Sequence, residues 1–169
     1  MPGQETYALV FVDDVDLITD WAVAQLGMLI RASGIDPENL VLELDGWGAE
    51  TLGPEAAEAL RRLGVGVGVS LRHHATWEPI PGHLAGRLDS ISVSAHDLID
   101  GDEVSALRVS RLARVVDGDL SRVTVVDVDG ASVALELSAA GLSIQSGRVH
   151  GRPLAARDLN TWLANRLAS

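Results

Sequence analysis

Hydrophobic positions along this chain switch between a spacing of two and a spacing of three to four, the signature of strands alternating with helices. Tyr7 to Val12 is an unbroken apolar run and reads as a buried strand. From about Leu17 to Ala32 apolar residues recur at helical spacing, and Gly34 stands where that helix would stop. Leu40 to Leu44 is a second strand, and Pro54 to Leu63 a helix with proline in its first turn. Val65-Gly66-Val67-Gly68-Val69 is a third strand whose glycines share one face. Their spacing does not match a dinucleotide fingerprint, and they lie inside the strand rather than after it, so close packing is expected there. Leu71 to Arg87, with Pro79, Pro81, Gly82 and Gly86, is irregular. Leu88 to Ser94, Arg122 to Val128 and Leu142 to Gln145 read as further strands. Glu103 to Val116, Ala131 to Ala140 and Ala155 to Leu167 read as further helices. Strands and helices in this alternation imply a parallel sheet with right-handed crossovers. No linker or low-complexity tract divides residues 1–169, so a single domain is expected.

Composition narrows the classes of partner. The 169 residues are 47% hydrophobic and only 4% aromatic, so the core must be built from Val, Leu, Ile and Ala. The formal net charge is −11, and all 13 basic residues are arginine. That balance opposes a nucleic acid or an anionic membrane, which require clustered cations. Cysteine is absent, which removes disulfides, thiol catalysis and cysteine-ligated metals. No apolar run approaches the ~18 residues of a membrane span, and the start lacks a signal-peptide pattern. A cytoplasmic protein is expected.

Candidate chemistry begins with Glu43, near the C-terminal end of its strand, where parallel α/β proteins place ligands and catalytic groups. Ser90, Ser92 and Ser94 alternate with apolar residues and share one face of a strand. They suit either a ligand's hydrogen bonds or a small polar interior, and no G-x-S-x-G elbow accompanies them. His73, His74, His83, His96 and His150 occupy loops or strand ends without a metal-ligand spacing, so solvated surface positions are expected. Asp13, Asp14 and Asp16 form an acidic run that reads as a solvated loop before a helix. Trp21 and Trp162 lie on predicted helices, where packing is expected. Trp47 and Trp77 lie in loops and suit either base stacking, a protein partner or core capping.

Three segments carry a resemblance to a known family. Gly34-Ile35-Asp36-Pro37-Glu38-Asn39-Leu40-Val41-Leu42-Glu43-Leu44 resembles the GLPPERLELEI segment of the EAL domain, the bacterial cyclic-di-GMP phosphodiesterase family. Leu60-Arg61-Arg62-Leu63-Gly64-Val65 resembles its LRRLGV segment. Gly141, then Gly147 through Arg152-Pro153-Leu154, is similar in spacing to its closing glycine and RPL motif. The similarity runs in order from about Leu9 to Leu163. It implies an α/β fold, an incomplete TIM-like (β/α) barrel of about six parallel strands without the family's first two.

The same comparison locates losses. The family hydrolyses its substrate with metal ions held by several carboxylates at strand ends. Its Glu-Ala-Leu strand has no counterpart, and its Asn-x-Ser strand falls near Phe11 to Asp13, with no asparagine. Its Asp-Asp pair falls on Ser70 and Leu71, and the Phe-Gly that follows on Arg72 and His73. Its lysine falls on Ser92, the next aspartate on Ser94, and its late glutamine on Ser146. Glu43 is the one metal-ligand position retained, and either Asp127 or Asp129 corresponds to a later glutamate. The resemblance therefore implies no catalytic residue, no metal, no cofactor and no enzyme activity. A regulatory or protein-interaction module of bacterial signalling is expected, with a homodimer or another signalling protein as partner. Cyclic-di-GMP binding is not expected on this reading. The alternatives are a non-hydrolysing cyclic-di-GMP receptor using Arg152 and Arg72, and an active phosphodiesterase or an enzyme rebuilt around His73, His74, Glu43 and Asp127.

Overall fold

Parallel strands joined by right-handed crossovers put their helices on one face whenever strand order follows chain order. That situation holds here. The computed structural model describes residues 8–12, 19–45, 54–71, 88–101, 103–151 and 158. Its main sheet contains β1 (Ala8–Val12), β2 (Leu40–Asp45), β3 (Gly66–Ser70) and β4 (Ser90–Ser94). A short antiparallel pair follows, β5 (Ile99–Asp100) with β6 (Glu103–Val104). The main sheet then continues with β7 (Val123–Val126) and β8 (Ile144–Gln145). The six strands are ordered β1-β2-β3-β4-β7-β8 and every pairing between them is parallel. The chain is thus an α/β protein with the strand sequence of a (β/α) barrel. β1 and β8 are its outer strands, and no pairing joins them among the described residues.

Helix boundaries follow local chemistry. α1 (Asp20–Ser33) starts where the Thr19 hydroxyl accepts from the Ala22 N–H at 3.3 Å, and stops at Gly34 with φ 71°, a conformation that favours glycine. Asp36 then caps a 3₁₀ turn at Pro37–Asn39 and delivers the chain into β2. α2 (Pro54–Arg62) precedes β3, α3 (Ala95–Leu98) follows β4, and α4 (Ala106–Val115) and α5 (Ala131–Ala139) flank β7.

Successive residues of a strand point to opposite faces. One face presents Leu40, Leu42, Leu44, Val67, Val69, Ile91, Val93, Val123 and Val125, all buried. These pack with Val23, Ile30, Ala57, Leu60, Leu112 and Leu137 of the helices into one core. The opposite face carries Val41, Glu43, Gly66, Gly68, the three serines of β4 and Thr124.

Several sequence expectations are corrected. Glu103 and Val104 are not helical: Gly101 turns with φ 67° and they pair with Ile99 and Asp100. The Val104 N–H donates to Glu136 Oε2 at 3.0 Å, and Arg108 Nη1 donates to the Ile99 carbonyl at 2.5 Å. These contacts hold two-residue strands that periodicity alone is too short to reveal. β1 is not a fully buried strand, since it pairs on one side only and leaves Val10 45% and Phe11 48% exposed. Trp21 is 72% exposed rather than packed. α1 buries the side containing Val23, Gly27 and Ile30, and at about 100° per residue Trp21 points the other way. The irregular segment from 72 to 87 and the expected closing helix at 155–167 lie almost entirely outside the described residues.

Close packing on the glycine face is present as expected. A Cβ added at Gly68 would collide with Ser90 Oγ and lie 3.2 Å from Val41 Cγ1. Gly68→Ala should therefore lower stability in urea by about 1–3 kcal/mol, as overpacking of a close contact does. Gly68→Ala combined with Ser90→Ala should recover part of that loss, because the two positions collide directly. Additive losses in the double variant would show that the collision is not the cause.

Candidate functional site

Parity and register together bring one carboxylate into a floor of hydroxyls. Across the sheet, Glu43 sits beside Phe11 and Gly68, and Gly68 beside Ser90. One step further along the strands, Asp45, Ser70, Ser92 and Thr124 fall in register. Ser94 sits beside Val126. The C-terminal ends of the strands thus present Glu43, Ser70, Ser92 and Ser94 on the face that the helices leave uncovered.

Glu43 is only 3% exposed, and its Oε1 has no hydrogen-bond partner. The Oγ atoms of Ser70, Ser90 and Ser92 are likewise buried without one. A buried polar atom left unpaired costs about 1–3 kcal/mol, so several on one surface mark a place prepared for polar contact. Ser94 differs. Its Oγ donates to Asp127 Oδ2 at 3.1 Å and accepts from the His96 N–H at 3.3 Å, capping α3.

Asp127 and Asp129, which the sequence left equivalent, have different surroundings. Asp127 follows directly on β7 in the left-handed region, with φ 60°, and is held at the strand end beside Ser94. Asp129 is turned toward the loop after β8, where its Oδ2 accepts from Arg148 Nη2 at 2.5 Å. That hydrogen bond, opposed slightly by burial and aided by the charge of Arg148, holds the Asp129 carboxyl below its usual 3.8. The same contact raises the Arg148 guanidinium. Gly147 completes this corner by lying against the Val128 backbone, where any Cβ would collide. That contact gives a physical reason for glycine in the closing motif.

The remaining candidates scatter. His96 is exposed and contributes its backbone N–H rather than its ring to the site. The His150 ring lies 3.4 Å from Gln145 Oε1, while Gln145 Nε2 donates to the Ala134 and Leu142 carbonyls. Asp13, Asp14, Asp16, Trp47, Arg72, His73, His74, Trp77, His83, Arg152 and Trp162 lie outside the described residues. No group of three or more metal-ligating side chains is assembled among the described residues, nor does any helix among them have the length and apolarity to cross a membrane. The absence of partners for the serine hydroxyls was not legible in the sequence, which showed their shared face but not what faced them.

Chemically, this floor can accept or donate hydrogen bonds to a polar ligand beside the buried Glu43 carboxylate. Hydroxyls at Ser70, Ser92 and Ser94 are neutral, and divalent cations favour charged oxygen ligands. The described donors do not fit a pair of metal ions.

The fold recurs in solved structures of EAL domains. The EAL domain of Mycobacterium smegmatis DcpA matches with a TM-score of 0.75 and 17% identity, over 94% of this chain and 73% of its own. The FimX EAL domain of Pseudomonas aeruginosa, bound to c-di-GMP, matches with a TM-score of 0.65 and 19% identity, over 84% of this chain and 60% of its own. Klebsiella pneumoniae BlrP1, in a manganese/cy-diGMP complex, matches with a TM-score of 0.71 and 21% identity, over 90% of this chain and 40% of its own. No protein-family model and no curated protein matches the sequence. The chain has the fold of an EAL domain and spans only part of each of these proteins.

One expectation is overturned by this comparison. Cyclic-di-GMP binding was not expected because the family's lysine falls on Ser92 and its N-terminal strand has no counterpart. The FimX domain and BlrP1 hold that nucleotide on the same fold, over 84% and 90% of this chain. A fold that holds the nucleotide in its neighbours points toward binding, not against it.

The exposed Asp129–Arg148 pair gives a pH prediction. A carboxyl with a lowered folded pKa favours the fold above its unfolded pKa, and that contribution is lost as pH falls through the folded value. Carbon-13 NMR of the side-chain carboxyls should place the Asp129 midpoint below 3.8, moving back toward 3.8 in Arg148→Ala. A midpoint unmoved by that substitution would remove Arg148 as the cause.

Proposed function

We propose that this chain is a single-domain regulatory module of cyclic-di-GMP signalling that takes the nucleotide at the C-terminal ends of its strands without hydrolysing it. One observation carries the reading: Glu43 lies buried beside the unpartnered hydroxyls of Ser70 and Ser92, on a fold whose neighbours hold cyclic-di-GMP. In-line hydrolysis of a phosphodiester needs a generated hydroxide and a stabilised leaving oxygen, usually through two metals clamped by carboxylates. Ser70 and Ser94 stand where the family resemblance places such carboxylates, and Ser92 where it places a lysine. Of the two later aspartates, Asp127 is assigned to the strand-end site because it meets Ser94, and Asp129 to a structural ion pair. With Glu43 and Asp127 the only carboxylates so assigned, the site recognises and does not cleave.

Output of such a module must come through a partner rather than a product. The solvent-facing apolar residues Val10 and Phe11 on the outer strand, with Trp21, Met28 and Leu29 on α1, favour protein contact as that output.

Calorimetric titration tests the reading. Cyclic-di-GMP should bind tighter than about 100 μM, or about −5.5 kcal/mol, and equally well with Mg²⁺ or with chelator. Incubation in Mg²⁺ or Mn²⁺ should yield no linear dinucleotide. Turnover that disappears in Glu43→Gln would overturn the non-hydrolysing part. Failure to bind at millimolar nucleotide would overturn the receptor part.

A further inference from the structure

The opposite, N-terminal end of the same strands encloses a second space. It is a cavity of about 750 Å³ between the start of β2 and the start of β8, inside the range of roughly 300–1,000 Å³ typical of small-molecule sites. Barrel interiors of this kind are normally filled by layers of branched side chains. Here Gly66 contributes none, and Ser90 and Thr124 contribute small ones. Val41 and Ile144 add apolar side chains on the same face of the sheet. Ser90 Oγ lies buried at its edge with no hydrogen-bond partner.

The mouth is charged in alternation. Glu38 precedes β2, Arg61 precedes β3, Asp89 precedes β4 and Arg122 precedes β7, and all four line the cavity. In the order of the strands they precede, the four charges therefore alternate in sign. Asp89 already accepts from the Val67 N–H at 2.8 Å through Oδ2, which fixes its carboxylate and leaves Oδ1 for another donor. Arg122 is anchored by one Nη2 contact to the Leu88 carbonyl and keeps other N–H groups in its planar fork. Arg61 pairs with Glu58 at 2.5 Å in an exposed contact, and exposed pairs exchange at small cost.

We propose that this cavity binds a free α-amino acid with a bulky apolar side chain. Its ammonium would lie at Asp89, its carboxylate at Arg61 or Arg122, and its side chain against Val41 and Ile144. A simple anion would meet Glu38 and Asp89 unfavourably, and a simple cation would meet the arginines. A zwitterion with its two charges one atom apart satisfies the alternation. The cavity opens at the opposite end of the strands from Glu43, with Ser90 between the two.

The test uses L-tryptophan as probe against the whole chain, followed by amide NMR. Tryptophan should shift the amides of Gly64, Gly66, Ser90 and Thr124. Tryptamine and indole-3-propionate, each lacking one charge, should bind about tenfold or more weakly, the loss of about one charged hydrogen bond. Arg61→Ala, at an exposed position, and Asp89→Asn, which keeps an acceptor for Val67, should each weaken binding about fivefold. Ile144→Trp should fill the space and abolish it with the folded spectrum retained. No shifts at these amides with millimolar tryptophan would overturn the proposal. So would an equal response to tryptamine and indole-3-propionate, or binding unchanged in Arg61→Ala.

Discussion

Strand order that follows chain order, combined with right-handed crossovers, decides almost everything else in this molecule. It collects α1, α2, α4 and α5 on one side of the sheet, and with them the burial of branched aliphatic side chains. The other side is relieved of helix packing and can carry residues that a helix-covered face would not tolerate. Because side chains alternate strictly, slipping β2 by one residue would drive Glu43 into the helix layer beside Val69 and expose Leu44. The Leu40, Leu42 and Leu44 pattern therefore fixes the register, and the register fixes the site. Polar residues at the strand ends are held by the apolar ones between them.

That division explains what the sequence made legible. Alternating runs such as Leu40–Leu44 and Val65–Val69 state both the element and the face, so the six parallel strands and the glycine packing at Gly68 were readable. The Gly34 stop of α1 is equally local, whereas its start falls after Thr19 rather than at about Leu17. What was not readable depends on neighbours distant in sequence. The apolar run Ala8–Val12 reads alike for a central or an outer strand, and only its single pairing partner settles which it is. The β5–β6 pair is too short for periodicity and rests on Glu136 and Arg108, 32 and 9 residues away. Trp21 was recoverable in principle, since Val23, Gly27 and Ile30 set the phase of α1. Asp127 and Asp129 differ by two residues, and no spacing argument distinguishes the one beside Ser94 from the one beside Arg148.

Loss of metal ligands would be physically compatible with the proposed nucleotide binding, although the losses at first suggest otherwise. A carboxylate-rich pocket repels a phosphodiester unless cations intervene. Two like charges about 4 Å apart cost about 4 kcal/mol at an effective dielectric near 20. Hydroxyls at Ser70 and Ser94, where the family resemblance places carboxylates, would remove that repulsion and keep hydrogen-bond donors in place. The buried oxygens of Ser70 and Ser92 lack partners in the unliganded chain, and a bound polar ligand can supply them. A site that exchanges carboxylates for hydroxyls thus gives up the metals that drive cleavage and also the need for them in holding the anion. Replacement of acids by serines at a strand end, read as decay when judged against an enzyme, is an adjustment of charge when judged against a receptor. The overall charge of −11 sharpens the point. In a chain this acidic, phosphate recognition depends on neutral donors and on a few arginines placed locally, and each carboxylate absent from the site lowers the barrier that the rest of the molecule imposes.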